Sequence, residues 1–162
     1  MKKSILAIII LSVFTAFGCQ QSSGQVKKYD PKRKMSKTPA EWKKILTPNE
    51  YNIMVESGTE APYQNAYYNN HEKGVYVSAA TGEVLFSSED KYDSGTGWPS
   101  FVKAVDPKKV EVVQDNSYGM SRDEVIERST GLHLGHVFDD GPADRGGKRF
   151  CMNSGALKFV KK

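Results

Sequence analysis

Cysteine is scarce in this chain of 162 residues, which contains two cysteines, three histidines and two tryptophans. So few cysteines exclude a scaffold held by several disulfides. Long apolar runs are also absent, since the longest, from Ile5 to Phe14, is interrupted at Ser12. A membrane-spanning helix needs roughly 20 apolar residues, so this run is too short to be one. Any chemistry that uses cysteine or histidine must therefore depend on a few residues.

The first 18 residues are typical of a signal peptide. Lys2 and Lys3 precede the apolar run, and Ala16-Phe17-Gly18 supplies small residues at a cleavage site. Cys19 follows directly, as in the lipobox of bacterial lipoproteins, where that cysteine is lipidated. Ala16 and Phe17 depart from the lipobox pattern, and ordinary signal peptidase would cut at the same place. We expect export to the bacterial cell envelope, with a lipid anchor on Cys19 or, alternatively, release as a periplasmic or secreted protein.

Residues 19–37 have the composition of a flexible basic tether, rich in Gln, Ser, Gly and Lys. We expect the basic side chains of this tether to be solvated by water, although anionic lipid headgroups would also attract them. The whole chain has a formal net charge of +4, which falls to +2 when Lys2 and Lys3 leave with the signal peptide. Nucleic acid is therefore not an expected partner. Residues 38–162 are enough for one domain with its own core, and we expect a monomer.

Two short helices are predicted at the start of this domain. Thr38-Pro39-Ala40-Glu41 and Thr47-Pro48-Asn49-Glu50 each combine an N-cap threonine, a proline at the first helical position and a glutamate at the third. The apolar side of the first helix is expected to carry Trp42, Ile45 and Leu46.

The rest of the domain consists of short runs of β-formers separated by turn residues. A hairpin is predicted around Thr81-Gly82, and the last run is expected to close the sheet. The predicted strands are Gly74–Val77, Val84–Phe86, Val110–Val113, Leu132–Phe138, Phe150–Met152 and Leu157–Val160. The predicted fold class is mainly β, with antiparallel sheets and a minor α contribution.

Cys151 is the candidate nucleophile. In a strand, Arg149, Cys151 and Asn153 alternate onto one face, and Phe150 and Met152 onto the other. A cation beside a thiol favours the nucleophilic thiolate. The alternative is that Cys151 is a small buried core residue.

Two further segments contain candidate functional residues. Ser94 to Phe101 is a glycine-rich turn that presents Trp98, which alternatively anchors the core. His133 and His136 are a candidate acid–base pair, with a structural imidazole pair or a metal site as alternatives. Strict strand alternation places these histidines on opposite faces, so a bulge at Gly135 is needed to bring them together.

These segments, in this order, resemble the B-type methionine sulfoxide reductases, which reduce the R epimer of methionine sulfoxide. The resemblance runs from about Leu46 to Phe159. It is carried by Lys91-Tyr92-Asp93-Ser94-Gly95, Gly97-Trp98-Pro99, Ser117-Tyr118-Gly119-Met120-Ser121-Arg122-Asp123-Glu124-Val125, Gly131 to Pro142, and Arg149-Phe150-Cys151-Met152-Asn153-Ser154. It implies the β fold of that family and an oxidoreductase that repairs oxidised protein.

Residue roles carry over by position. The implied catalytic residues are Cys151, His133, His136 and Asn153, and the implied substrate-binding residues are Trp98, Phe138 and Arg149. Cys151 matches the nucleophile that attacks the sulfoxide sulfur, and Trp98 matches the indole that packs on the substrate methyl group. An imidazole is expected to protonate the departing oxygen, which leaves Cys151 as a sulfenic acid.

The chain departs from the family at two sets of positions. Many members hold zinc with two Cys-x-x-Cys pairs, which correspond here to Ser78, Thr81, Glu127 and Thr130, so no metal cofactor is expected. Many also have a resolving cysteine where this chain has Thr96. The sulfenic acid is therefore expected to be reduced by an external thiol, either a thioredoxin-like protein or a small molecule. An unlipidated Cys19 is the remaining internal candidate, with a reach of roughly 25 Å.

Two other classes of function are less consistent with these residues. An exported binding module that has lost turnover would also lack the zinc and resolving cysteines, but it should have lost Trp98, His133 and Cys151 first. An exported cysteine peptidase or transpeptidase would need an oxyanion hole, for which no further motif is present. The expected substrates are oxidised envelope proteins.

Overall fold

The two helices begin at the predicted Thr-Pro pairs: α1 spans Pro39–Ile45 and α2 spans Pro48–Met54. Each N-cap threonine accepts a hydrogen bond from the backbone N–H of the glutamate three residues later, whose carboxylate accepts one from the threonine N–H at 2.8 Å. Trp42 and Leu46 are buried as predicted. The prediction for Ile45 is wrong, since it is 54% exposed. The helix ends there, and the extended backbone at Leu46 carries that side chain inward instead.

The computed structural model describes residues 26, 27 and 29–162, so the predicted signal peptide and Cys19 lie outside the described residues. Nine strands are present in the described part of the chain. They are β1 Gly74–Ser78, β2 Val84–Ser87, β3 Lys91–Tyr92, β4 Ser100–Phe101, β5 Val110–Asp115, β6 Arg122–Glu127, β7 His133–Phe138, β8 Arg149–Met152 and β9 Leu157–Lys161. Every pairing is antiparallel, in a three-stranded sheet of order β2-β1-β9 and a six-stranded sheet of order β3-β4-β8-β7-β6-β5.

The predicted fold class and hairpin are confirmed. The last strand, β9, pairs along the whole of β1 and completes the smaller sheet. Three strands were not predicted: β3 and β4 have two residues each, and β6 is mostly charged.

One hydrophobic core joins the two sheets and both helices. Aromatic rings connect the sheets directly, since Phe101 of the larger sheet stacks on Phe86 at 4.6 Å and meets Tyr76 edge-on at 5.0 Å. From the helices, Trp42, Ile53 and other apolar residues enter the same cluster. In the described part of the chain, no helix is long and apolar enough to cross a membrane.

The described part of the basic segment before α1 lies against the domain. The backbone N–H of Lys27 donates to the carbonyl of Val55 at 2.6 Å, and that of Met35 donates to Ser129 at 2.8 Å. Arg33 forms an ion pair with Glu111 of β5 at 3.0 Å. This segment therefore runs beside the larger sheet.

A buried carboxyl group joins the four positions where zinc ligands stand in many similar proteins. Glu127, at the end of β6, is fully buried and accepts hydrogen bonds from the hydroxyls of Thr130 at 2.8 Å, of Thr81 and of Ser78. Three neutral hydroxyls and one carboxyl do not fit zinc, which binds thiolates, imidazoles and carboxylates. The two turns are instead joined by hydrogen bonds. Burial raises the pKa of Glu127, because it penalises the ionised form more than the three hydroxyls stabilise it.

We expect the stability of the protein to depend on pH through Glu127. A pKa that is raised on folding stabilises the folded state below the ordinary pKa and loses that contribution as the pH rises through the raised value. Glu127→Gln keeps a hydrogen-bonding amide and removes the charge, so its melting temperature should rise relative to that of the wild type as the pH increases above the ordinary pKa of glutamate. If the melting temperature of Glu127→Gln instead fell relative to that of the wild type as the pH increased, the carboxylate would be stabilised in its ionised form.

Glu127→Ala is the matched control. It leaves three hydroxyls without their acceptor, and we expect it to destabilise the protein by about 1–3 kcal/mol. Thermal unfolding of both variants at several pH values separates the loss of hydrogen bonds from the loss of charge.

Candidate active site

Cys151 lies in β8 between two strands that each present a polar side chain to it. Ser100 of β4 and His136 of β7 are its directly paired neighbours, so all three side chains lie on one face of the sheet. A cavity of about 140 Å³ opens beside them. Its lining residues are Thr59, Trp98, Arg122, Gly135, His136, Phe138, Cys151, Met152 and Asn153.

The predicted bulge is present in β7. Val125 pairs with Gly135 and Ile126 pairs with His133, so Leu134 is the extra residue. The bulge brings the rings of His133 and His136 to a centroid distance of 5.3 Å, at an edge-to-face angle of 63°. A Cβ on Gly135 would lie 2.2 Å from the carbonyl oxygen of Cys151, so only glycine permits this approach of the strands. The geometry of the site therefore depends on Gly135.

His136 is held by a carboxylate that is itself held by an arginine. Its Nε2–H donates to Asp115 Oδ2 at 3.0 Å, and Arg122 donates to the same oxygen at 2.6 Å. Partial burial alone would raise the pKa of Asp115, but hydrogen bonds from Ser117, His136 and Arg122 outweigh it and hold that pKa well below its usual range. Burial lowers the pKa of His136 despite Asp115, so its neutral form is favoured.

His133 has a second carboxylate–cation pair. Its Nδ1 donates to Glu124 Oε1 at 2.6 Å, and Lys27 forms an ion pair with the same carboxylate at 2.6 Å. Burial alone would raise the pKa of Glu124, but hydrogen bonds from His133 and Lys27 outweigh it and lower that pKa. His133 is 1% exposed and does not line the small cavity. It contacts Asn153, whose Nδ2 lies 3.4 Å from His133 Nε2.

The Cys151 thiol is partly buried and lies among three hydrogen-bond donors. Burial raises its pKa, while Arg149 and the hydroxyls of Thr96 and Ser100 act in the opposite direction. The cation expected beside the thiol is therefore present, but desolvation outweighs it. At neutral pH the resting group is a thiol, and a base must remove its proton when it reacts.

Arg149 is engaged mainly by other groups. It makes a two-point ion pair with Asp140, with both hydrogen bonds at 2.8 Å, and its guanidinium lies 4.4 Å from the ring centroid of Phe138. Phe138 lines the cavity and Arg149 does not. Arg149 thus supports the Phe138 wall and contributes a partial positive field to the thiol.

Trp98 is positioned by a loop that sequence reasoning did not use. Its indole N–H donates to the carbonyl of Glu60 at 3.0 Å, and the backbone N–H of Glu60 donates to Asn153 Oδ1 at 3.2 Å. The Glu60 carboxylate accepts hydrogen bonds from the backbone N–H groups of Ser154 and Gly155. One residue therefore orients both the indole and the amide that face the cavity.

The structure brings five of the predicted site residues to one cavity and places two behind it. Those lining the cavity are Cys151, Trp98, His136, Phe138 and Asn153. His133 and Arg149 support it, and Cys19 lies outside the described residues. Sequence reasoning missed Glu60, Asp115 and Arg122, although Arg122 and Glu124 belong to a segment that it had singled out. Strand pairing of β5, β6 and β7 reveals Asp115 and Arg122, whereas Glu60 is revealed by its hydrogen bonds with Trp98 and Asn153.

A larger polar cavity of about 460 Å³ adjoins the first and shares Arg122 and His136 with it. Its wall also includes Lys27, Glu124 and His133, so His136 lies at the boundary between the two spaces and His133 faces only the larger one. Among the described residues, no group of three or more His, Cys, Asp or Glu side chains is arranged to hold a metal ion.

Comparison with known proteins matches the SelR domain to residues 46–161. The chain is 50% identical over 125 residues to the peptide methionine sulfoxide reductase MsrB of Methanosarcina barkeri. The aligned region covers 77% of this chain and 87% of that protein. It is 48% identical over 128 residues to MsrB of Methanosarcina mazei, covering 79% and 91%. It is 50% identical over 127 residues to MsrB of Leptospira interrogans, covering 78% and 96%.

Proposed function

Because this chain belongs to the MsrB family of SelR-domain methionine sulfoxide reductases, we propose that Cys151 is the thiol with which it reduces methionine sulfoxide. The observation that carries the assignment is the placement of Cys151 beside His136 in a cavity walled by Trp98 and Phe138. A binding module without turnover is not favoured, since each of these groups is in place.

The reaction needs one proton to be removed from Cys151 and one to be delivered to the sulfoxide oxygen. Neutral His136 takes the thiol proton, and Asp115 stabilises the resulting imidazolium. The Cys151 sulfur attacks the sulfoxide sulfur and forms a transient S–S bond, while the imidazolium of His136 protonates the sulfoxide oxygen. That oxygen then moves to Cys151 as its bond to the substrate sulfur and the transient S–S bond both break. The products are methionine and a Cys151 sulfenic acid, so the thiol loses the two electrons that the sulfoxide gains.

The cavity provides different surroundings for the two substituents of the sulfoxide sulfur. The half-buried Trp98 and Phe138 form an apolar wall for the methyl group, while His136 and Asn153 present polar atoms. Exchanging methyl and oxygen would bury the oxygen without a partner, which is costly. This arrangement supports selection of one epimer, the R form.

An external thiol regenerates Cys151 in this proposal. Thr96, which hydrogen-bonds to Cys151, occupies the position of a resolving cysteine, and Cys151 is the one free cysteine among the described residues. A thiol attacks the sulfenic sulfur, releases water and forms a mixed disulfide, which a second thiol then reduces. A thioredoxin-like protein or a small thiol fits this role.

We also propose that the protein acts in the cell envelope on oxidised envelope proteins, anchored by a lipid on Cys19. The signal peptide pattern before Cys19 and the basic segment after it support this localisation. If Cys19 is free instead, the protein is periplasmic or secreted, and Cys19 remains a candidate resolving thiol.

Replacement of Cys151 by Ser should abolish turnover of a peptide that contains methionine R-sulfoxide, with dithiothreitol as the reductant. The hydroxyl of serine has no accessible sulfenic state, so no oxygen can be accepted. Cys19→Ser is the matched control, because it removes the other cysteine and should keep full turnover. Chromatographic measurement of methionine formation checks both variants, and turnover by Cys151→Ser would refute the assignment.

His136→Asn should lower kcat/KM on the order of 10²- to 10⁴-fold, the usual contribution of a positioned acid–base group. The control is His71→Asn, because His71 is exposed and pairs with Asn69. Steady-state kinetics across the pH range measures the effect. An unchanged kcat/KM in His136→Asn, with a normal melting temperature, would show that another group transfers the proton.

Thr96→Cys should convert the single-cysteine site into a disulfide-forming one. Its thiol would replace a hydroxyl that now hydrogen-bonds to Cys151, so it should attack the sulfenic acid within the same molecule. Peptide mapping without reductant, after one turnover, should find a 96–151 disulfide in the variant and a dimedone-reactive sulfenic acid in the wild type. Ser129→Cys, which adds a cysteine beyond the far end of β6, should form no such disulfide.

A lipid on Cys19 should appear in the intact mass of protein extracted from membranes. We expect a mature chain that begins at Cys19, with the added mass of acyl groups that Cys19→Ser lacks. A mature chain with an unmodified cysteine would show that this thiol is free to act as a resolving group.

A further inference from the structure

We propose that one end of the larger sheet is a docking surface for anionic phospholipid headgroups. Six basic side chains surround a shallow depression of about 430 Å³ at this end. This basic surface comprises Lys32, Arg33, Lys34, Lys108, Lys109 and Arg128. It lies outside the catalytic cavities and plays no part in the reaction described above.

Three separate segments are brought together to form the basic surface. Lys108 and Lys109 precede β5, and Arg128 follows β6, at the same end of the β5–β6 pair. The segment before α1 is fastened across them by Arg33, which binds Glu111 at 3.0 Å and donates to the carbonyl of Arg128 at 3.0 Å. The basic segment is therefore placed where its charges add to those of the domain.

The positive charges outnumber their partners on this surface. Its two carboxylates are already used, since Glu111 pairs with Arg33 and Arg128, and Glu83 accepts a hydrogen bond from Ser129 at 2.8 Å. The exposed ammonium groups of Lys32, Lys34 and Lys108 make no ion pair within the described ranges 26–27 and 29–162. They are available to an external anion.

A lipid surface suits this arrangement better than a single small anion. The unpaired lysines extend from separate segments around an open depression and hold no converging, buried donor that would define a discrete phosphate site. Each Lys or Arg held near an anionic membrane adds a similar increment of attraction, so several dispersed cations act together. The predicted lipidation site at Cys19 is seven residues before Val26, an extended reach of about 25 Å. An anchored chain would therefore keep the basic surface within reach of headgroups.

Docking at this end leaves the catalytic cavity accessible. Arg122, at one end of β6, lines that cavity, whereas Arg128, just beyond the other end, belongs to the basic surface. Six residues of extended chain separate them by about 20 Å. A membrane on the basic surface would thus leave the cavity open to proteins that carry oxidised methionine.

Vesicle co-sedimentation tests the docking surface without the lipid anchor. The chain from Gln20 onward retains every described residue and lacks Cys19. It should bind vesicles containing about 30% phosphatidylglycerol and not bind pure phosphatidylcholine, and binding should fall as salt is raised. The triple variant Lys32→Glu, Lys34→Glu, Lys108→Glu should reduce the partition coefficient on the order of 100-fold.

A second triple variant supplies the control with the same change in net charge. Lys43, Lys73 and Lys162 are exposed and lie outside the basic surface, so their replacement by Glu should weaken binding far less. Equal losses in both triple variants would mean that only net charge matters and would overturn the proposal. So would absence of vesicle binding, or binding to heparin alone, which would assign the surface to another polyanion.

Turnover of a soluble sulfoxide peptide should remain unchanged in both triple variants, because none of the six lysines contacts the catalytic cavity. This readout keeps the two proposals separate, since vesicle binding does not require Cys151. Loss of turnover together with a lowered melting temperature in the first triple would show that the surface supports the fold rather than a membrane contact.

Discussion

The site depends on the close approach of β7 and β8 at Gly135. No side chain fits there, since the backbone of Cys151 lies where a Cβ would be. The same stretch contains the bulge that turns both histidines toward one space. A single constraint thus sets His136 opposite Cys151 and brings His133 to Asn153. Any larger residue would separate the strands and the reacting groups together.

Each imidazole in the site is held by a carboxylate, and each carboxylate is neutralised by a cation. His136 contacts Asp115, which pairs with Arg122, and His133 contacts Glu124, which pairs with Lys27. Buried charges are tolerated only when paired in this way. The pairing also fixes the tautomer of each ring, because an ionised carboxylate can only accept a hydrogen bond, so the ring nitrogen that faces it carries the proton. Lys27 comes from a segment before the matched domain, so the N-terminal region takes part in this network.

Local signals predicted the elements that are stabilised locally. Both helices were predicted because a capping box is contained within four residues, and the hairpin was predicted because its turn residues are adjacent. Ile45 was misplaced because its burial depends on where the helix ends. The strand β6 was missed because four of its six residues are charged. Arg122 and Glu124 are accommodated by partners on β5, β7 and the segment before α1, and Glu127 by hydroxyls of the adjoining turns. Asp115 and Glu60 were not predicted as site residues for a similar reason, because their roles depend on hydrogen bonds to residues that are distant in the sequence.

Partial burial of the Cys151 thiol suits a site in which it is the one cysteine among the described residues. An exposed, low-pKa thiolate is the form that oxidants attack most readily. Here desolvation keeps Cys151 protonated, and the nearby donors Thr96, Ser100 and Arg149 only moderate that effect. In the proposed reaction, Cys151 becomes reactive only when a bound sulfoxide and the neutral imidazole of His136 act together, so the thiol is oxidised mainly by substrate. Among the described residues no second cysteine lies beside it, so a nucleophile that reacted indiscriminately would depend on another thiol at every accidental oxidation. In this proposal, a partly buried thiol that is deprotonated only when substrate is bound reduces that dependence, and its sulfenic acid remains accessible to a reductant.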